Sequence, residues 1–293
     1  MATAFEPTGR DRYRRVKAWV MVGLCGLALM VAVVPLLAVL YLILSRGLST
    51  LSWQFLTTLP QSPMAGEGAG GIRDAIVGTV WIVAITSLFS LPVGILTGIY
   101  LNEFGDNVIG KAIRFVTEIL SGLPSIIAGV VVYALVVVAM GGVSAFAGGI
   151  ALSLLAIPWI TVATQDALGL VPQDHRDASL ALGVNQTHTI LWVVLPSALG
   201  GVITGTMLAV ARVAGETAPL IWTAGFSQFS FSGVFQQTAT LSILIYDYAT
   251  QPYHALHRAA WGGAVLLVGL ILVTNVLTRT VWAIRRRKME GRQ

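Results

Sequence analysis

The chain has 293 residues, of which 56% are hydrophobic and only 11% charged. Soluble domains average about 25% charged residues, so this composition excludes an ordinary soluble globular fold. The net charge of +5 and the pI of 9.7 would suit nucleic-acid binding, but the positions of the basic residues account for both in another way.

Taken in chain order, residues 1–18 form a basic N-terminal tail with Arg10, Arg12, Arg14, Arg15 and Lys17. A charge-free run follows, and the first predicted span covers Trp19 to Leu44. Such a run exceeds the ~20 apolar residues a helix needs to cross the hydrocarbon core. It is too long for a signal-peptide core, so it reads as a retained span. Cys25, the single cysteine, excludes an intrachain disulfide and a multi-cysteine metal site, and reads as a small buried apolar residue. Residues 19–71 then comprise this helix and an external loop, whose Pro60, Pro63 and Gly66 to Gly71 stretch predicts flexibility.

Residues 72–284 form the core. Its predicted spans run Ile72 to Leu101, Phe115 to Met140, Phe146 to Asp166, Ser197 to Trp222 and Ala259 to Ile284. The 47 residues between Glu118 and Asp166 carry no charge, which is room for two spans with a turn at Gly141 to Gly149. The runs are continuous, whereas barrel strands would alternate, so the fold class is all-α integral membrane with six transmembrane helices. Residues 285–293 form a basic C-terminal tail.

Lysine and arginine placement predicts the orientation. An even number of spans puts 14 of them on one side, counting both tails, Lys111, Arg114, Arg176 and Arg279. The other side receives Arg46, Arg73 and Arg258, and Arg212 lies within a span. Both termini are therefore expected to be cytoplasmic, in a multi-pass protein of the bacterial inner membrane. The basic ends suit anionic lipid headgroups, and no nucleic-acid partner is needed.

The connection at residues 167–196 is long, semi-polar and bracketed by Pro172 and Pro196. Gln173 or Asp174 can cap a helix there, and Gly183 is expected to divide it into two short helices. Its residues read Asp177-Ala178-Ser179, three more, Gly183, nine more, then Val193-Val194-Leu195-Pro196. This spacing resembles the EAA motif of ABC-importer permeases, with Asp for Glu, Ser for the second Ala and Val for Ile. The resemblance implies a type I ABC-importer permease. It also implies that Asp177, Ala178, Ser179, Gly183, Leu195 and Pro196 form the coupling segment that seats in a separate ATPase.

Further stretches resemble the PstA-type permease subunits of phosphate-specific importers. They are Gly70 to Ile72, Ala75 to Thr79, Gly98 to Phe104, Leu123 to Gly129 and Ala211 to Leu220. The similarity extends from about residue 70 to the C-terminus. One departure is Val162, where the family often has an arginine near the end of the fourth span.

The resemblance implies a transport subunit and not an enzyme, with no cofactor bound by this chain and ATP and Mg held on the partner ATPase. It implies four kinds of partner: a homologous permease (PstC-like), a homodimeric ATPase (PstB-like), an extracytoplasmic phosphate-binding protein (PstS-like) and membrane lipid. Alternatives are a permease for another oxyanion such as molybdate or sulfate, an ATPase-independent secondary transporter, or a scaffold without a pore. The second should show an internal repeat, and none is evident.

Within the fifth span, Arg212 and Glu216 are four residues apart and would share a helix face. Ionisable groups in a membrane span mark a pathway or a partner. The pair reads either as a salt bridge or as a substrate pathway in which Arg212 grips a phosphate, since a guanidinium fork matches phosphate oxygens. Pro219 is expected to kink this span as a hinge. Gly201 and Gly205 predict close helix packing, within the bundle or across a permease dimer. Glu118 and Asp166 read as solvated boundary acids, and Leu241 to Tyr248 as an interfacial or re-entrant helix within the external segment 223–258. Gly105 to Ala112 nearly matches a P-loop but has Ala112 where Ser or Thr must ligate Mg²⁺. His254 and His257 could hold a metal only weakly, and no metal site is expected.

Overall fold

The computed structural model describes residues 9–61 and 70–290, all helical or connecting, with no strand among them beyond an isolated Pro60–Gly70 bridge. Among the described residues five helices are long and apolar enough to cross a membrane, and the bent pair at 108–121 and 125–140 brings the number to six when taken as one span.

Helix α1 spans Gly9–Gly47. At 1.5 Å per residue its 39 residues reach about 58 Å, well beyond the ~30 Å hydrocarbon thickness. Residues 9–18, the described part of the basic N-terminal stretch, are therefore a helical continuation of the first span. Most of α1 has no protein neighbour, so Cys25 is exposed and not buried as its sequence setting suggests. Contact comes at its far end, where Thr50 Oγ1 donates to the Arg258 carbonyl at 3.3 Å. A short helix, α2 (Trp53–Thr57), follows and is capped by Ser52. Most of the glycine-rich loop, 62–69, lies outside the described residues. Its end is fixed by Gly70, at φ +69°, and by the Gly71 N–H donating to Leu59 O.

Two helices form the centre, α3 (Arg73–Phe104) and α7 (Ala145–Gly169). They pack closely because glycines face side chains: Gly94 meets Ile160, Gly98 meets Thr164, and Gly149 meets Ile85. Lipid tails are as apolar as leucine, so close van der Waals fit holds such helices together.

Between them the predicted span Phe115 to Met140 is not one helix. It divides into α4 (Val108–Ser121), α5 (Ser125–Val132), a π-helical turn at Tyr133–Val137 and α6 (Val138–Met140). α4 meets the α5–α6 rod at 106°. Pro124 disfavours helical backbone at Leu123, and Gly122 caps α4, so the chain turns there. The next turn is confined to Gly141 through Ser144. Gly141 is left-handed and Ser144 caps α7, which leaves Gly148 and Gly149 inside the helix.

The predicted fifth span, Ser197 to Trp222, is also divided. Helix α8 (Gln173–Ala181) precedes α9 (Gln186–Thr189), a π-turn at Ile190–Val194 and α10 (Leu195–Ala214). α10 ends at Gly215, and α11 (Ala218–Thr223) restarts after three residues. Pro219 lies at the start of α11, where a missing N–H costs nothing. It is therefore not a mid-helix kink; Gly215 to Thr217 form the break. Pro219 is buried, and its backbone fills the space a Cβ on Gly129 would need.

Helix α12 (Leu241–Thr250) is the semi-apolar piece of segment 223–258. It is a buried helix: the Leu241 N–H donates to Thr79 Oγ1 at 2.9 Å, and burial pushes the Tyr248 hydroxyl up to about 12. Asp247 beside it has its carboxyl raised above the usual range by burial. Helix α13 (His254–Glu290) completes the bundle and runs unbroken through 285–290, so the C-terminal basic stretch begins as helix. The end of α1 and the start of α13 meet, so their other ends project to one side of the bundle.

Candidate functional site

Two arginine-centred regions stand out. The first is the segment around α8. Arg176 donates through Nη2 to Glu103 Oε1 at 2.9 Å and through Nε to Oε2 at 3.4 Å. It also donates through Nη1 to Val171 O at 2.7 Å and through Nη2 to Leu168 O at 3.1 Å. Its side chain is 12% exposed and that of Glu103 7%. Asn102 Nδ2 donates a further bond to Glu103 at 2.7 Å. One guanidinium thus ties α8 to the ends of α3 and α7. A buried pair is tolerable only when its hydrogen-bonding capacity is used, as here.

In sequence Arg176 is only a topology marker and Glu103 only part of a similar stretch. They are 73 residues apart, and no local spacing pairs them.

Along the same segment, Ser179 is buried and shares a 2.9 Å hydrogen bond with Thr189, closing the α8–α9 turn. Gly183 makes that turn at φ +83°. Nothing lies within 4 Å of a Cβ built on it, so its backbone angle and not crowding requires glycine. Asp177 and Ala178 are exposed, as is Leu182 at 85%. The expected second short helix is instead the start of a rod that runs from Gln186 to Ala214. Leu195 and Pro196 belong to α10, and the π-turn before them absorbs the hydrogen bond Pro196 cannot make.

The second region is the face shared by α7 and α10. Gly201 approaches Ala167, and Gly205 approaches Ala163, so the small-residue pair packs within this chain. The same antiparallel register carries Trp159 to Arg212. The Arg212 guanidinium lies 4.3 Å above the centre of the Trp159 ring. Both side chains are exposed on this face, as are Val162 and Asp166.

The Arg212–Glu216 salt bridge, one of the two readings of that pair, is absent: among the described residues the ion pairs are Arg73–Asp74 and Arg176–Glu103. The helix ends at Ala214, so Glu216 leaves the face that four-residue spacing would give it. Its carbonyl accepts from Ser242 Oγ at 3.1 Å. Among the described residues no protein group accepts a hydrogen bond from the Arg212 side chain, so its N–H edge can serve an anion.

The remaining candidates resolve simply. Glu118 is exposed on α4, and Asp166 is exposed in the last turn of α7. The P-loop-like stretch follows helix α3 and not a strand, and Asn107 caps α4 within it. Asn185 caps α9. His257 Nε2 lies 2.6 Å from the Gln251 carbonyl, and no cluster of three metal-ligating side chains occurs among the described residues.

Solved structures with this arrangement are permease-containing ABC transporters. The inward-facing MetNI methionine ABC transporter aligns with a TM-score of 0.60 at 21% identity, over 75% of this chain and 97% of that one. A bacterial ABC transporter involved in import of the acidic polysaccharide alginate aligns with a TM-score of 0.59 at 14% identity, over 94% and 99%. The fold is thus that of a type I ABC-importer permease.

Residues 90–289 match the family described as binding-protein-dependent transport system inner membrane component. The phosphate transport system permease protein PstA of Haemophilus influenzae is 36% identical over 92% of this chain and 95% of its own length. PstA 1 of Mycobacterium tuberculosis is 34% identical over 94% and 91%. The chain belongs to this inner-membrane transport family, among its PstA-type permeases. It is a multi-pass inner-membrane protein, and permeases of this kind work with an ATPase and a solute-binding protein.

Proposed function

We propose that this chain is one permease subunit of an ATP-driven importer for inorganic phosphate, with Arg212 as its anion contact. One observation carries the reading. Arg212 sits on an exposed face of a spanning helix with its guanidinium stacked on a ring and its hydrogen-bonding edge unused. An arginine in that state offers phosphate a planar, permanently charged fork. The names of the PstA relatives support phosphate over molybdate or sulfate. Glu216 stands just beyond the helix end, where it can compete for Arg212 in another conformation and so help release the anion.

In this reading the Arg176 end of the bundle, with both chain termini, is cytoplasmic, in accord with the excess of basic residues there. Exposed Asp177, Ala178 and Leu182 around Gly183 enter a cleft of the ATPase. The Arg176 clamp then carries ATPase closure into α3 and α7, while the Gln186–Ala214 rod carries it to Arg212. ATP and Mg act on the ATPase, a PstB-like dimer. A PstC-like permease completes the pore, a PstS-like protein delivers phosphate, and this chain performs no hydrolysis.

The test is uptake by the reconstituted four-subunit assembly with the binding protein. Labelled phosphate should accumulate only with ATP and be displaced by unlabelled phosphate but not by sulfate or molybdate. Accumulation of sulfate or molybdate instead would move the substrate to another oxyanion, and flux without ATP would remove the importer reading.

A further inference from the structure

We propose that Trp159 is the positioning residue of the anion site. It holds the Arg212 guanidinium on its ring face, clear of Glu216, with the N–H edge open to an incoming phosphate. This rests on the assignment of Arg212 as the anion contact and adds the device that keeps it available.

The geometry begins with the small residues of α7 and α10. Gly201 on Ala167 and Gly205 on Ala163 fix both the separation and the register of the two helices. Further along, buried Ile160, Ala156, Ala209 and Val213 continue the contact in one cluster. Trp159 and Arg212 flank that cluster on its exposed side, and their 4.3 Å approach follows from the packing beneath. Trp159 is therefore held by a rigid helix pair and not by a loop.

An aromatic ring suits this task better than a carboxylate. A carboxylate occupies the N–H edge of the guanidinium, the edge a phosphate needs. A ring engages its flat face and leaves the edge free. An arriving phosphate then displaces no ion pair. Glu216 lies four residues on, and without the ring Arg212 is free to turn toward it. Val162 follows Trp159 by three residues on the same exposed face, so this face of α7 offers the anion no second cation.

The experiment measures phosphate imported per ATP hydrolysed by the complete importer in proteoliposomes. Trp159→Leu should lower that ratio about tenfold, the scale of a lost cation–π contact at a partly desolvated site. Trp159→Phe should recover it to within about threefold of the native protein, since a ring is restored. Glu216→Gln placed in the Trp159→Leu chain should also recover it, because the competing carboxylate is gone. A purely structural role for Trp159 would not respond to that second change.

Should Trp159→Leu fail to assemble, Trp159→Met keeps the bulk without the ring and carries the same expectation. A native ratio in the Leu or Met variant overturns the proposal, and so does a loss that neither Phe nor the Glu216 change relieves. Arg212→Ala run alongside separates the two claims. If it retains native uptake, the anion-site assignment fails and this inference with it; if it abolishes uptake while Trp159→Leu is native, only the role of Trp159 fails.

Discussion

Arg176 and Arg212 are the same residue type put to opposite use. Arg176 is 12% exposed and spends its donors on Glu103, Leu168 and Val171. Arg212 is exposed, rests on a ring and spends none on protein. The first is a joint, because every displacement of α8 must move its acceptors on α3 and α7. The second is a contact in waiting, because among the described residues no protein group takes its hydrogen-bonding edge. In the proposed reading the satisfied buried cation serves transmission, and the unsatisfied exposed one in a span serves the pathway.

The contrast can be broken by substitution, and the largest effect should come from Arg176→Met. Removing one partner of a buried pair strands the other, at a cost of about 3–5 kcal/mol. Thermal unfolding in detergent should show a large loss of stability and of assembly with the ATPase. Arg212→Ala, measured the same way, should lose about 1–2 kcal/mol, the scale of its cation–π contact alone. Equal losses for the two would erase the distinction.

Next in size is Gly183→Val. A β-branched residue at φ +83° carries strain on the order of 1–3 kcal/mol. ATP hydrolysis should continue while uptake falls, as insertion depends on the spans and not on this turn. Gly205→Leu should follow, by prising α10 from Ala163 and moving Arg212 off Trp159, read as lower uptake with the ATPase intact.

The smallest expected effect is that of Asp247→Asn, since among the described residues Asp247 forms no ion pair with either arginine. Burial raises the Asp247 carboxyl pKa in the folded protein. The folded state therefore binds its proton more tightly than the unfolded state does. Stability from this group is full below the unfolded pKa and lost as pH rises through the folded one. The Asn variant should thus be slightly more stable at neutral pH and should flatten that dependence. A variant that is less stable at neutral pH would contradict it.

The spans were legible because long uncharged runs have only one use in a chain this apolar. The breaks within them were harder to read. Gly122 and Pro124 carried the signal for the 106° bend, but uninterrupted hydropathy ran across it. Pro219 was visible as a missing donor, yet Gly215 to Thr217 end the helix first, so the proline starts a new one. Arg212 could be found because a charge inside a span is costly. Its partner could not, since Trp159 lies on another helix and comes into reach only through the packing of Gly205 on Ala163. For the same reason the four-residue spacing to Glu216 misled, as it assumes a helix that continues. Glu103 and Arg176 are far apart in sequence, and only the fold joins them.

The measurement that bears most directly on this account is phosphate uptake by proteoliposomes carrying the complete importer, with Arg212 or Arg212→Ala, and with ATP supplied or withheld. Uptake that requires both ATP and Arg212, in assemblies that retain their ATPase activity, is the expected result. Native uptake by the Arg212→Ala protein would contradict it and leave this arginine a lipid-facing or structural residue.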